Sequence, residues 1–424
     1  MQHKIPTAEI GPRGEKMAAA VEACVHCGFC LPDCPTYQEL GEEMDSPRGR
    51  IILMKEVLEG NLSVAGAAPY IDRCLGCLGC VTACPSGVAY DELITSYRGH
   101  VEDSRQRTFR ERLLRRLLLS TLPYPGRFRF AVRSGRLLRP LARFLPAQFA
   151  AMLSLLPAGL PRKERLPELT PAEGARRGRV ALLAGCAQQV LAPQINSATV
   201  RVLAKNGVEV VVPRGQRCCG ALAAHTGAAA EARSAARHNT EVFPHDVDAV
   251  ITNAAGCGSG LHEYPLWLAG EEQQAAAEEL AARAIDISQY LVNLGPRVSA
   301  ALSEPLKVVY HDACHLAHGQ GVRSAPRQLL ESISNLQLCT LPDSEICCGS
   351  AGSYSIEQPQ IANQLGVRKA EAVLASGADL VATGNIGCMT QIETHLQRLG
   401  KPVPVQHTIE LLDRAYAAGG NSQR

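Results

Sequence analysis

Two stretches of this chain, CVHCGFCLPDCP and CLGCLGCVTACP, share the spacing C-x2-C-x2-C-x3-C-P. They place Cys24, Cys27, Cys30 and Cys34 in the first run and Cys74, Cys77, Cys80 and Cys84 in the second. A cubane of iron and sulfide presents four irons, each needing one thiolate. Three cysteines spaced three apart on a winding loop reach three neighbouring irons. The fourth, turned off by Pro35 or Pro85, serves the other cluster of the pair. The expected ligand sets are therefore Cys24, Cys27, Cys30 and Cys84 for one 4Fe-4S cluster, and Cys34, Cys74, Cys77 and Cys80 for a second. The small residues Gly28, Gly76 and Gly79 let backbone amides approach the cluster sulfurs. Paired zinc sites are the competing reading of CxxC groups. Zinc requires neither a third cysteine at fixed spacing nor a closing Cys-Pro, so iron–sulfur is favoured.

The whole chain has 424 residues and seventeen cysteines. Disulfide scaffolds belong to short secreted domains poor in core. Here 46% of residues are hydrophobic, the cysteine count is odd, and Met1 to Lys16 lacks the apolar run of a secretory signal. Metal ligation in a reducing cytoplasm is the expected use. The longest nearly apolar stretch, Ala147 to Leu160, is interrupted by Pro157 and too short to span a bilayer. A formal net charge of +2 points to no polyanionic partner.

Between the two motifs, Ile51, Met54, Val57 and Leu58 recur at helical spacing, with Gly60 as the stop. Glu15 to Ala23 and Asp91 to Leu119 are also helix-rich. The head, residues 1–104, is expected to be an α-helical ferredoxin-like domain. Residues 105–178 form a connector in which twelve arginines, from Arg105 to Arg143, face one acid, Glu111. Phe109, Leu113 and Leu117 fall on one helical face, with Leu114 and Leu118 beside them. Such a basic amphipathic helix suits an anionic membrane surface or a partner groove, or simply packs on a neighbouring domain. Nucleic acid is disfavoured, because stacking aromatics are few.

From Arg179 onward the chain repeats itself. RVALLAGC ending at Cys186 aligns with KVVYHDAC ending at Cys314, and QRCCG with EICCG, placing Cys218 and Cys219 opposite Cys347 and Cys348. AVITNAAGC ending at Cys257 aligns with LVATGNIGC ending at Cys388, and AIDISQYL with VPVQHTIELL. Each unit, 179–300 and 301–424, alternates β-branched runs with helical stretches, the pattern of an α/β fold on a parallel sheet. Val180 to Ala184, Val208 to Val212 and Val247 to Thr252 read as strands; Asn196 to Lys205 and Glu231 to Phe243 read as helices. The cysteines follow strand ends, where open α/β sheets place ligands. Cys186, Cys218, Cys219 and Cys257 are one candidate metal site, and Cys314, Cys347, Cys348 and Cys388 the other. Free cysteines are often small buried residues, but their recurrence in register argues for soft metal ligands. Cys339 has no counterpart and reads as core. His311 and His315 flank Cys314, against Leu183 and Ala187 in the first unit; they read as ordinary hydrogen-bonded histidines at least as readily as tuning or binding groups.

Two ferredoxin motifs followed by two Cys-Cys-Gly repeats resemble the iron–sulfur subunits of bacterial glycolate oxidase. More broadly they resemble those of heterodisulfide reductase and anaerobic glycerol-3-phosphate dehydrogenase. SPRGRIILM at 46 to 54 and HDACHLAHGQG at 311 to 321 are most like the glycolate oxidase type, and the likeness covers nearly the whole chain. It implies an electron-transfer subunit serving flavin-binding catalytic partners that oxidise glycolate to glyoxylate. Electrons would pass to a membrane acceptor, the quinone pool, from a peripheral position on the inner face of the inner membrane. The alternatives are a glycerol-3-phosphate or D-lactate dehydrogenase subunit, or a disulfide-cleaving reductase. Repeats of the reductase relatives close with CxxC, but here those last positions are Gly260 and Gln391. A four-thiolate cluster in one or both repeats, or an emptied fold kept for docking, is the expectation. No strand is followed by G-x-G-x-x-G, so neither flavin nor nicotinamide is expected in this chain.

Overall fold

The computed structural model describes residues 1–157, 159–297 and 299–421. Its head is helical because the apolar residues of the linking segments recur at helical spacing. Helix Pro47–Leu58 starts at Ser46, whose hydroxyl accepts from the Gly49 amide at 3.0 Å, with Pro47 in its first turn. Ile51, Met54 and Leu58 point inward, meeting Met17 and Val21 of helix Pro12–Glu22 and Leu93 and Tyr97 of helix Tyr90–Val101. The chain leaves the helix at Gly60, where φ is +78°.

The stretch Asp91 to Leu119 is two helices rather than one. Helix Tyr90–Val101 decays into the 3-10 turn Glu102–Ser104, and helix Phe109–Thr121 restarts on a capping box between Thr108 and Glu111. The expected face of this second helix is rotated. Leu114 and Leu118 are the buried pair, packed with Ile356 of the second repeat, whereas Phe109 and Leu113 are 71% and 48% exposed. Packing on the repeat, not propensity, chose which leucines turn inward. Helices Pro125–Leu138 and Ala147–Ser154 complete the connector.

The sheet of the first repeat contains β1 (Leu169–Thr170), contributed by the end of the connector, and β2 (Gly178–Leu182), β3 (Val208–Val211), β4 (Ala249–Thr252) and β5 (Ala284–Asp286), in order β1-β3-β2-β4-β5. The second contains β6 (Ala300–His311), β7 (Ile333–Cys339), β8 (Leu380–Thr383) and β9 (Val405–His407), in order β7-β6-β8-β9. Apart from β1, which pairs antiparallel at one edge, all strands are parallel and the two orders correspond. Val180 sits between Val210 and Ala249 as Val308 sits between Leu338 and Leu380. The architecture is thus the expected one: a helical ferredoxin-like head and two repeated parallel α/β units.

Inner faces of both sheets share one hydrophobic core, in which Leu182, Ile195 and Val210 meet Val308, Leu411 and Leu412. Helix Gln194–Lys205 lies against helix Thr408–Asn421, with Arg201 paired to Asp413 at 2.6 Å. Cys339 is not core. It ends the edge strand β7, half-buried, with its thiol 3.8 Å from the Gln337 carbonyl. No helix among the described residues is long and apolar enough to cross a membrane.

Candidate iron–sulfur centres

Both head motifs wind the same way. The second and fourth residues after each leading cysteine have positive φ: His26 (58°) and Gly28 (85°), then Gly76 (65°) and Leu78 (65°). Left-handed backbone at these positions turns amides toward the loop interior, and the Gly76 amide lies 3.4 Å from the Cys74 sulfur. Gly79 answers a different need. A Cβ there would lie 2.9 Å from the Asp33 carbonyl oxygen, so the two motifs can approach this closely only through glycine.

The last cysteine of each motif lies among cysteines of the other, Cys84 beside Cys24, Cys27 and Cys30 and Cys34 near Cys77 and Cys80. Cys80 and Cys84 line a small cavity of about 30 Å³ together with Cys24, Cys27 and Cys30. Burial, then the neighbouring Cys77, Cys74 and Cys34 thiols, pushes Cys80 well above the ordinary thiol range. Burial also raises Cys77, and its neighbours are Cys314, Cys34 and Cys74. Burial would raise Cys74 likewise, but the Arg50 and Arg98 guanidinium groups outweigh it and hold that thiol low. Clustered buried thiols that resist ionisation together are what a multivalent cation relieves, and all-thiolate donors suit iron–sulfur cofactors.

In the repeats, thiols arrive from the ends of separate strands. Cys186 follows β2, Cys218 and Cys219 follow β3, and Cys257 follows β4, with 3.4 Å between the Cys218 and Cys186 sulfurs. Cys219 is raised by contacts from Cys218 and Cys257, so the four thiols form one group. The second repeat repeats the arrangement. Cys347 is raised by contacts from Cys314 and Cys348, and Cys388 by Cys348. Each Cys-Cys pair ends in a glycine with φ of +87° (Gly220) or +85° (Gly349), and a Cβ on Gly349 would meet the Ala362 carbonyl oxygen at 2.8 Å. That accounts for Cys-Cys-Gly as a unit.

The reductase-type fifth cysteine has no room in the first repeat. A Cβ on Gly260 would sit 2.9 Å from the Ala221 Cβ and 3.6 Å from the Cys219 sulfur. In the second, Gln391 is buried and donates to the Ala362 carbonyl at 2.9 Å.

The head is seated on both repeats by polar bonds. Arg98 donates to the Ile71 and Cys74 carbonyls in the head and to the His225 carbonyl of the first repeat. Thr82 pairs with His318 at 2.7 Å, and the Tyr354 hydroxyl donates to the Arg73 carbonyl at 2.9 Å. Leu75, inside the second motif, packs with Cys314, Cys347 and Tyr354. The second head motif and the second repeat's thiols therefore share one cluster of buried residues. A cavity of about 400 Å³ opens beside them, lined by Cys186, Cys257, Cys347 and Cys388 and roofed by Leu118 and Leu153 of the connector.

The two repeat sites differ electrostatically. Lys369 is buried beside the second one; burial lowers its pKa while Cys348 and Cys347 pull it back up. The first site has the neutral Asn239 and Tyr264 nearby, their side chains bonded to the Cys218 and Cys219 carbonyls. A retained ammonium favours the more negative, reduced state of a bound cluster. Lys369→Met is expected to lower the second site's potential by roughly 50–100 mV, as for a unit charge about 8 Å away at an effective dielectric near 20. Potentiometric titration followed by electron paramagnetic resonance checks this, and an unchanged potential sinks it. Lys369 escaped notice in the sequence because a lone lysine in a helix carries no motif.

The arrangement defines a class: an iron–sulfur electron carrier with a two-cluster head and paired cysteine-rich domains. The 4Fe-4S dicluster domain family model matches residues 20–88, and the cysteine-rich domain model matches residues 180–262 and 308–393. The chain is 37% identical to the glycolate oxidase iron–sulfur subunit of Escherichia coli (strain K12), over 93% of this chain and 94% of that one. It is 36% identical to the probable glycolate oxidase iron–sulfur subunit of Bacillus subtilis (strain 168), over 94% of both chains. This chain belongs to the glycolate oxidase iron–sulfur subunit family. Lactate utilization protein A of Geobacillus sp. (strain WCH70) is 32% identical across 99% of its own length but only 55% of this chain. A crystal structure of a hypothetical protein from Helicobacter pylori shares the fold alone, with a TM-score of 0.53 at 10% identity, over 95% of this chain and 72% of that one.

Proposed function

We propose that this chain is the electron-transfer subunit of a glycolate-oxidising complex. A flavin-binding catalytic subunit would oxidise glycolate to glyoxylate, and this chain would carry the electrons toward a quinone in the membrane. Bound clusters supply one-electron carriage, which a flavin hands over and a quinone accepts. Cys24, Cys27, Cys30 and Cys84 would hold one 4Fe-4S cluster, Cys34, Cys74, Cys77 and Cys80 another, and the repeat quartets further centres. The observation that carries the reading is continuity. Cys77 of the head packs against the cluster of buried residues that holds Cys314 and Cys347 of the second repeat, so thiol groups of the two domains lie side by side.

The connector supports a peripheral seat on the inner face of the inner membrane. Phe109, Phe130, Leu137 and Phe144 are 71%, 73%, 82% and 72% exposed, on segments rich in arginine. Apolar side chains inserted among basic ones suit an anionic lipid surface, where each arginine contributes about 1 kcal/mol. The chain is expected to co-sediment with vesicles containing anionic phospholipid, less so in high salt and much less after Phe130→Glu with Leu137→Glu. Equal binding to neutral vesicles would count against the membrane seat.

The purified chain alone is expected to show no glycolate-dependent dye reduction, and to support it once the flavin-binding subunit is added. Activity from the chain by itself overturns the reading. The partial likeness to lactate utilization protein A makes a lactate-oxidising complex the second reading, separated from the first by which hydroxy acid reduces the reconstituted complex.

A further inference from the structure

The second repeat carries a group that the first lacks at the same place. His311 ends β6 three residues before Cys314, where the first repeat has Leu183 three residues before Cys186. His311 is 0% exposed, and neither ring nitrogen has an oxygen or nitrogen partner among the described residues; the ring lies against the Cys348 thiol, whose thiolate form it favours. A buried imidazole with only a thiol, a weak partner, beside it forgoes hydrogen bonding that water would have supplied, a loss of about 1–3 kcal/mol for an unmatched group. Such groups are rare in native folds and call for an explanation.

Geometry provides one. A ring nitrogen of His311 and the sulfurs of Cys348 and Cys388 lie within 4.8 Å of one another. Donors bound to a single metal at about 2.0–2.3 Å fall within that span. The remaining thiols of the repeat, Cys314 and Cys347, join the same group through Cys348. The neutral ring has a lone pair on one nitrogen to give, and its hydrogen stays on the other.

We propose that His311 is a nitrogen ligand of the metal centre in the second repeat, with Cys348 and Cys388, so that the two repeats hold unlike centres. The first is all-thiolate, faced at this position by the apolar Leu183; the second is mixed nitrogen and sulfur. Replacing thiolate by imidazole removes negative charge from the metal and raises the reduction potential, as it does in Rieske centres. With Lys369 acting in the same direction, the second repeat becomes the electron-attracting site, and it is the one whose Cys314 neighbours Cys77 of the head. This inference rests on the second repeat holding a metal centre at all.

The test uses the full chain, purified anaerobically, from cells fed either ordinary or nitrogen-15 histidine. Pulsed electron paramagnetic resonance of the signal that Cys388→Ala abolishes is expected to show a strongly coupled nitrogen that changes isotope with the histidine. His311→Leu, which installs the first repeat's residue, is expected to lose that coupling and lower the potential of the same signal. His311→Gln provides a second variant of similar bulk, and the isotope experiment needs no variant. A signal without histidine coupling, or a coupling that survives in both variants, overturns the ligand assignment and leaves the electron-transfer reading standing. An iron content of about eight per chain, the content of two cubanes, with no signal sensitive to Cys388→Ala overturns the ligand assignment and the second repeat's place in the relay, while the two head clusters remain as electron carriers.

Discussion

Cys84→Ala is expected to empty the cluster site of the first head motif while sparing the one built around the motif that contains Cys84. In the fold Cys84 lines a cavity with Cys24, Cys27, Cys30 and Cys80. Removing it leaves a cubane with one iron unligated by protein, which is labile. Iron content should fall by about four per chain, the content of one cubane, and the magnetic interaction between the two head clusters should vanish from the dithionite-reduced spectrum. One unsplit signal should remain. The reciprocal variant, Cys34→Ala, is less clean, since the Cys34 sulfur also lies 3.3 Å from the Thr36 hydroxyl and 3.8 Å from the Arg50 guanidinium. Should Cys84→Ala instead erase the cluster of Cys74, Cys77 and Cys80, the motifs are self-contained and the exchange of cysteines is wrong. A chain wired in series also loses function outright. Reduction of the repeats by a flavin-binding partner should drop to background in this variant.

Much of this was legible because cysteine spacing is a covalent message. C-x2-C-x2-C-x3-C-P states the loop, the recurrence of Cys-Cys-Gly states the repeat, and the alternation of β-branched runs with helical stretches states the parallel sheet. Strands β2, β3 and β4 fell within two residues of their β-branched runs, since buried parallel strands are continuous apolar segments. The connector was read less well. Helix Phe109–Thr121 has leucines on two adjacent faces, and only contact with Ile356, more than two hundred residues away in sequence, decided that Leu114 and Leu118 go inward. Amphipathic spacing says that a helix has a face to bury; it does not say what will cover it.

Charged residues near the clusters were the least visible. Arg98 and Lys369 act through burial and neighbours brought from other elements, and nothing local marks them. His311 was noticed beside Cys314, yet an ordinary hydrogen-bonded histidine fitted the sequence equally well. What separates the readings is a finding available only in three dimensions: a fully buried ring with no oxygen or nitrogen partner among the described residues, set instead against the sulfurs of Cys348 and Cys388.

Arg50→Leu is expected to weaken the head by about 3 kcal/mol or more, the cost of breaking a buried ion pair from one side. Arg50 sits in the SPRGR segment and is 1% exposed; Asp45, opposite, is 0% exposed. Its guanidinium spans three acceptors: the Asp45 carboxylate at 3.2 Å, the Tyr70 carbonyl at 2.8 Å and the Cys34 sulfur at 3.8 Å. Arg73 still reaches Asp45 at 2.7 Å after the substitution, which limits the loss, but the Tyr70 carbonyl is left without this donor. The same change removes a positive charge beside Cys34 and Cys74, so the potential of the cluster on Cys34, Cys74, Cys77 and Cys80 should fall by roughly 50–100 mV. Arg50→Lys separates the two effects. It keeps the charge, and with it most of the potential, but an ammonium lacks the planar fork that serves three directions at once, so stability should still drop. Urea unfolding of the iron-loaded chain and redox titration measure the two quantities independently. If Arg50→Leu moves neither, the buried arginine is a packing residue, and the SPRGR segment owes its presence to the helix cap at Ser46 alone.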